Sequence, residues 1–195
     1  MTTWAEVDGN NTLAITYPLD ASSMVIDLGG YHGVWASQII AKYNPYMVLV
    51  EPVPEFYDYL KAKFQDNPKV TVFNYGVSAY RHNSILYLRA DGTSKYIKTD
   101  RNIPVQFVTI QDILHNINET SIDLMQINIE GEEYLLLEQM LDDASILQFE
   151  FLQIQYHGGV DDYAERRLKI QERMSEWYTK NYDYPFVFEG WERKA

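Results

Sequence analysis

The chain contains no cysteine, which excludes disulfides, thiolate metal sites and thiol nucleophiles. Positive charge is scarce: 16 Lys and Arg stand against 28 Asp and Glu, a formal charge of −12. A surface with that balance repels phosphates, so no nucleic-acid partner is expected. No apolar run approaches the ~20 residues of a membrane-spanning helix, and no membrane association is expected. Residues Met1 to Asp8 lack the basic and apolar regions of a signal peptide, and with no cysteine to oxidise, a cytoplasmic protein is expected. Repeats, linkers, low-complexity tracts and metal-ligand spacings are missing too. A length of 195 residues then fits a single domain spanning 1–195 with a substantial core and no metal.

What is present is organised around one stretch, Met24-Val25-Ile26-Asp27-Leu28-Gly29-Gly30-Tyr31-His32-Gly33. Its apolar start is too short for a helix and β-branched enough for a buried strand. Beyond the glycines, Ala36, Ile39, Ile40 and Tyr43 recur at helical spacing. Strand, glycine turn and helix make the first crossover of an α/β sheet, whose ligands lie beyond the carboxyl ends of the strands. The spacing of Gly29, Gly30 and Gly33 is not the G-x-G-x-x-G that cradles a pyrophosphate. Asp27 lies two residues before the first glycine, and a carboxylate there suits a cationic ligand better than a phosphate. S-adenosylmethionine, with a sulfonium, an ammonium and no phosphate, meets that condition.

The second strand, Tyr46 to Val50, ends on Glu51-Pro52. An acid about two dozen residues after Asp27 sits where strand-two acids accept from both ribose hydroxyls, in methyl donors and NAD alike. Pro54 opens a helix with Phe56, Leu60 and Phe64 on one face, and a third strand, Val70 to Asn74, leads into Tyr75-Gly76-Val77-Ser78. In a nucleotide fold Val77 and Ser78 flank the adenine. Ser84 to Arg89, a turn at Ala90 to Thr93, and Ser94 to Ile97 read as an inserted β-hairpin, either an edge or a substrate-facing flap, with Val105 to Val108 a further β piece. His82 and His115 fall in polar connections and are read as structural.

A fourth strand, Ile122 to Asn128, runs into Ile129-Glu130-Gly131-Glu132-Glu133 and an apolar helix. Glu132 and Glu133 are explained by the dipole of that helix; Glu130, at the strand's carboxyl end, is the better catalytic candidate. A fifth strand, Leu147 to Gln155, ends at Tyr156-His157-Gly158-Gly159, which makes His157 the other catalytic candidate. A helix is expected from Asp161 to Tyr178 and a sixth strand from Tyr184 to Glu189, with none after it. Near the N-terminus, Thr12 to Tyr17 reads as a short strand stopped by Pro18. The resulting fold class is α/β, a doubly wound, mostly parallel Rossmann-like sheet with an inserted hairpin.

The set Val25-Ile26-Asp27-Leu28-Gly29, Val50-Glu51-Pro52 and Asp123 to Glu133 resembles the FkbM-type methyltransferases over roughly residues 20 to 160. That family typically reads D-x-G-A-N-x-G, E-P and K-I-D-x-E-G-x-E at these places. Gly30-Tyr31 stands here in place of Ala-Asn, and Gln126 and Asn128 in place of Lys and Asp. Asn128 can hold a hydroxyl or amino group but cannot act as a base. The resemblance implies a class I methyltransferase fold with S-adenosyl-L-methionine as cofactor and a hydroxyl of a sugar or glycosylated small molecule as acceptor. It implies that Asp27, Gly29, Gly30, Tyr31 and Gly33 hold the amino-acid part of the donor, and Glu51 with Pro52 the ribose. Val77 and Ser78 would flank the adenine and Asn128 would complete the site. Glu130 and His157 remain the expected bases. Two rival readings are a catalytically silent binding module on the same fold and an NAD-dependent oxidoreductase. Against the latter, Tyr59-x-x-x-Lys63 has a dehydrogenase spacing but lies on the helix after strand two.

Overall fold

The computed structural model describes residues 2–89, 92–94 and 100–195. In chain order the elements are β1 (Met24–Leu28), α1 (Val34–Tyr43), β2 (Tyr46–Val50), α2 (Pro54–Phe64), β3 (Val70–Phe73) and β4 (Gly76–Val77). Then come β5 (His82–Arg89), β6 (Gly92–Ser94), β7 (Asn102–Val108), α3 (Ile110–Ile117), β8 (Ile122–Ile127) and α4 (Glu133–Asp142). The chain closes with β9 (Phe149–Ile154), α5 (Tyr163–Met174), β10 (Tyr178–Tyr184) and β11 (Phe188–Arg193).

Seven strands form one sheet in the order β10-β11-β9-β8-β1-β2-β3. Pairing is parallel from β9 to β3, while β11 runs antiparallel to both its neighbours. Helices cover both faces, so alternate residues of each central strand enter different cores. Val25, Met47, Leu49, Leu124 and Phe151 pack with Ala36 and Ile39 of α1 and Leu60 of α2. Ile26, Leu28, Val48, Met125 and Leu152 pack on the other face with α3, α4 and α5. Each fully buried aliphatic side chain contributes about 1.5–3 kcal/mol, which is why the central strands are mainly apolar, interrupted by Asp27 in β1, by Asp123 and Gln126 in β8 and by Glu150 and Gln153 in β9.

Helix ends follow their sequence signals. Pro54 starts α2, Thr109 and Asp112 form a capping box on α3, and left-handed Asn44 closes α1.

Several expectations are corrected. The antiparallel last strand is present: Tyr184 is the end of β10, Pro185 to Val187 are its turn, and Phe188 starts β11. The helix expected from Asp161 to Tyr178 stops at Met174, and Tyr178 already belongs to β10. Thr12 to Tyr17 contains a 3-10 turn, Leu13–Ile15, in place of a strand. The inserted hairpin is part of a separate four-stranded sheet, β4-β7-β5-β6. The expected turn at Ala90 and Asp91 and the strand residues 95–97 lie outside the described residues.

Candidate active site

A cleft opens at the carboxyl ends of β1, β2 and β8 and encloses about 820 Å³, part of it open to solvent. Its floor is knitted backbone: Gly29 and Gly30 N–H both donate to the Val50 carbonyl, and Asn128 N–H donates to that of Leu28. Gly29 has φ +88°, and a Cβ on it would overlap the Asn128 carbonyl oxygen. Only glycine lets β1 and β8 approach this closely.

Glu51, just beyond β2, is 4% exposed and lines the cleft. It accepts from the Tyr31 and Val53 backbone N–H groups, each at 2.9 Å. Burial nevertheless pushes its carboxyl up to about 7, against those two donors. Asp27 is 2% exposed beneath the same floor, and burial, then the neighbouring Glu51, push it up to about 7 as well. Its Oδ1 has no hydrogen-bond partner among the described residues. Two buried acids side by side cannot both ionise cheaply without a cation. Asn74 Nδ2 fixes the approach by donating to the carbonyls of Glu51 and Pro52.

The opposite wall comes from the inserted sheet: Gly76 and Val77 of β4, Leu86 of β5 and Phe107 of β7, with Tyr75 beside them. Gly76 faces the Phe107 ring, leaving no room for a side chain at 76. Tyr31 and Phe56 form an aromatic lip, ring centroids 4.6 Å apart, with Tyr31 held at φ 46°.

Of the residues singled out from sequence, Gly29, Tyr31, Glu51, Pro52, Val77, Asn128 and Glu130 line the cleft. Asp27 lies under it, and Gly30 and Gly33 face Leu60 of α2. Ser78 is fully buried and absent from the cleft lining; it donates its hydroxyl to Glu132 Oε2 at 2.5 Å, and Glu132 is itself a cleft-lining residue. Glu130 stands in a left-handed turn, φ 57°, followed by Gly131 at φ 111°.

His157 lies behind Glu130, its Nε2 3.7 Å from Glu130 Oε1. Burial acts to lower its basicity, but Glu133 and Glu130 outweigh it and raise the imidazole above its ordinary value. Among the described residues no cluster of three or more His, Asp and Glu could hold a metal ion, and no helix is long and apolar enough to cross a membrane.

Sequence reasoning missed Glu133, which is fully buried and bonded to both Gly131 and His157. The signal was there: 133 falls on the helical face of Leu136, Leu137 and Met140, all buried. Asn74, Phe56, Leu86 and Phe107 were also missed, the last two because nothing local says which residues of the inserted strands face the cleft.

A family model described as Methyltransferase FkbM domain matches residues 27–184. No curated protein matches the sequence. Among solved structures, Streptococcus mutans SMU.1697c in complex with SAH is similar with a TM-score of 0.60 and 11% identity, over 100% of this chain and 99% of that one. An rRNA methylase from Streptococcus thermophilus is similar at 0.57 and 13%, over 96% and 95%. The METTL16 MTase domain is similar at 0.53 and 12%, over 96% of this chain and 65% of that one. These likenesses concern the fold, which is the class I methyltransferase fold. With a family match that starts at the buried Asp27 of β1, crosses the whole cleft and ends in β10, the chain belongs to the FkbM methyltransferase domain family.

Proposed function

We propose that the chain is an S-adenosylmethionine-dependent O-methyltransferase, one domain over residues 1–195, acting in the cytoplasm on a hydroxyl of a sugar or glycosylated small molecule. The observation that carries this reading is the pair of buried acids, Asp27 and Glu51, at a cleft floor where Asp27 Oδ1 has no hydrogen-bond partner among the described residues. A ligand with positive charge and a vicinal diol meets both needs, and the cleft lies in the usual size range of cofactor pockets. Glu51 would accept from the ribose hydroxyls, with Pro52 and Val77 against the adenosine. Asp27 and the Gly29 to Gly33 turn would face the amino-acid end, with Tyr31 and Asn128 at its border. When bound, the cofactor supplies an electrophilic sulfonium methyl.

The chain's own contribution is to hold the acceptor oxygen in line and to remove its proton. Glu130, at the cleft edge, would accept the hydroxyl proton, with His157 behind it. Asn128 would orient the acceptor without acting as a base. An RNA acceptor, as the name of the S. thermophilus neighbour suggests for that protein, is disfavoured by the −12 charge of this chain.

Calorimetric titration with S-adenosylmethionine, S-adenosylhomocysteine and NAD tests the donor assignment. Binding of the first two is expected, weakened about tenfold to a hundredfold by Glu51→Ala, the worth of a charge-assisted hydrogen-bond pair. Binding of NAD alone overturns it. Binding without turnover of any glycoside would favour the silent module.

A further inference from the structure

We propose that Glu133 is a positioning residue that locks His157 in the tautomer with hydrogen on Nδ1 and holds it in register with Glu130, making Glu130, His157 and Glu133 one proton-handling unit. The inference rests on the methyltransferase reading for its purpose, but not for its geometry.

Glu133 is fully buried in the first turn of α4. Its two oxygens are divided between two loops. Oε2 accepts the Gly131 N–H at 2.7 Å, which pins the left-handed Glu130–Gly131 turn. Oε1 accepts the His157 N–H at 2.7 Å and stands 3.2 Å from His157 Nδ1. Both oxygens already act as acceptors toward backbone N–H groups, and Oε1 in that role takes its second hydrogen bond from a ring Nδ1 that carries the hydrogen. The other ring nitrogen is thereby left to face Glu130 at 3.7 Å. The loop is closed from a third side by the Tyr134 hydroxyl, which donates to the His157 carbonyl at 2.8 Å.

A carboxylate that only neutralised the helix dipole would sit in solvent at the helix start. This one is enclosed and spends both oxygens on the loops that carry the two candidate bases. The charged groups facing the imidazole are Glu133 from α4 and Glu130 from the turn before it. Arg166 of α5 stacks on the Tyr134 ring and pairs with Glu138.

During methyl transfer the acceptor O–H bond breaks as its oxygen bonds to the methyl carbon, and the carbon–sulfur bond breaks, its electron pair staying on sulfur. The proton goes to Glu130 and can pass on to neutral His157 at Nε2, whose positive charge Glu133 then balances.

The test is nitrogen-detected NMR of the His157 ring in the full chain and in Glu133→Gln, beside titration with S-adenosylhomocysteine. In the unaltered chain the neutral ring is expected as the Nδ1–H form. In Glu133→Gln its pKa should fall by about one pH unit and the tautomers should mix. S-adenosylhomocysteine affinity should stay within about twofold, since Glu133 lies outside the cleft lining, and the acidic limb of the pH–rate profile should move with the NMR pKa. Glu133→Asp should restore part of the shift. An Nε2–H tautomer in the unaltered chain overturns the proposal without any variant having to fold. An unchanged His157 pKa in Glu133→Gln overturns it too. Failure to bind S-adenosylhomocysteine in both forms would instead strike the donor assignment and leave the ring result standing.

Discussion

Gly29 carries the strictest steric demand of any residue at the cleft. Its φ of +88° and the Asn128 carbonyl at its α-carbon leave no room for a side chain. Gly29→Ala is therefore expected to cost about 3 kcal/mol or more and to abolish donor binding, read by thermal melting and S-adenosylhomocysteine titration. Gly30→Ala, where the added carbon's one tight contact is the flexible end of Leu60 at 3.0 Å and Leu49 and Asp27 stand at ordinary distances of 3.6 and 4.0 Å, should lose far less stability. Equal losses in the two variants would remove the steric account. At this scale Gly29 and Glu51 were legible because each sits at the end of a short apolar run, where chain direction alone places it at the ligand edge. Glu133 was not, because an acid in a first helical turn already has a sufficient local reason and its burial is decided by α4's packing. Ser78 shows what chain position leaves out: its place suited an adenine contact, and the structure adds that its hydroxyl donates to Glu132, a pairing no local pattern announces.

The elements at the C-terminal side depend on a buried polar knot beneath α5. Arg167 pairs with Glu189 of β11 at 2.5 Å and with Asp183 of β10, while Gln171 and the Trp191 indole N–H also donate to Glu189. Glu189 is 1% exposed, and burial raises its carboxyl despite Arg167. Arg167→Met leaves that acid buried without its cation and is expected to cost about 3–5 kcal/mol in denaturant unfolding, with Glu189→Leu added in the same chain recovering much of it. A cost below about 1 kcal/mol for the single variant would show that the knot is not holding α5 to the sheet. The strands β1, β2, β3, β8 and β9 were readable from short stretches rich in aliphatic and aromatic residues. Strands β10 and β11 were not, for physical reasons. The first is polar and lies at the sheet edge, with a bulge between Lys180 and Tyr182, and the aromatic run Tyr184 to Phe188 spans its turn. Phe186 sits there at φ 59°, which the sequence does not announce. The tail aromatics serve packing: Trp191 and Tyr178 are buried, while Tyr182 and Tyr184 pack around Trp4 of the N-terminal segment.

For the molecule as a whole, the two acids under the cleft couple stability to pH. Asp27 and Glu51 are pushed up to about 7, while their unfolded values lie near ~4. Between those limits the folded chain holds more protons than the unfolded one, so stability falls as pH rises, by at most about 1.4 kcal/mol per pH unit for each group. His157, raised in the fold, adds stability that is likewise lost as pH rises through its folded value. The melting temperature of the ligand-free protein should therefore drop between about pH 5.5 and about pH 8, and S-adenosylmethionine should raise it more at the higher pH, where both acids are ready to meet its charge. A donor-induced gain that shrinks with rising pH would count against both carboxylates as its partners. The sheet order has a consequence for synthesis. β11 follows β10 in sequence yet lies between β9 and β10. While the chain emerges from the ribosome, the hydrogen-bonding edge of β9 stays open until residues 188–193 have been made, and β10 has no place to dock before then. A chain cut short before Phe188 would present a bare parallel edge and an unfilled Trp191 site, the conditions under which nascent sheets stick to one another.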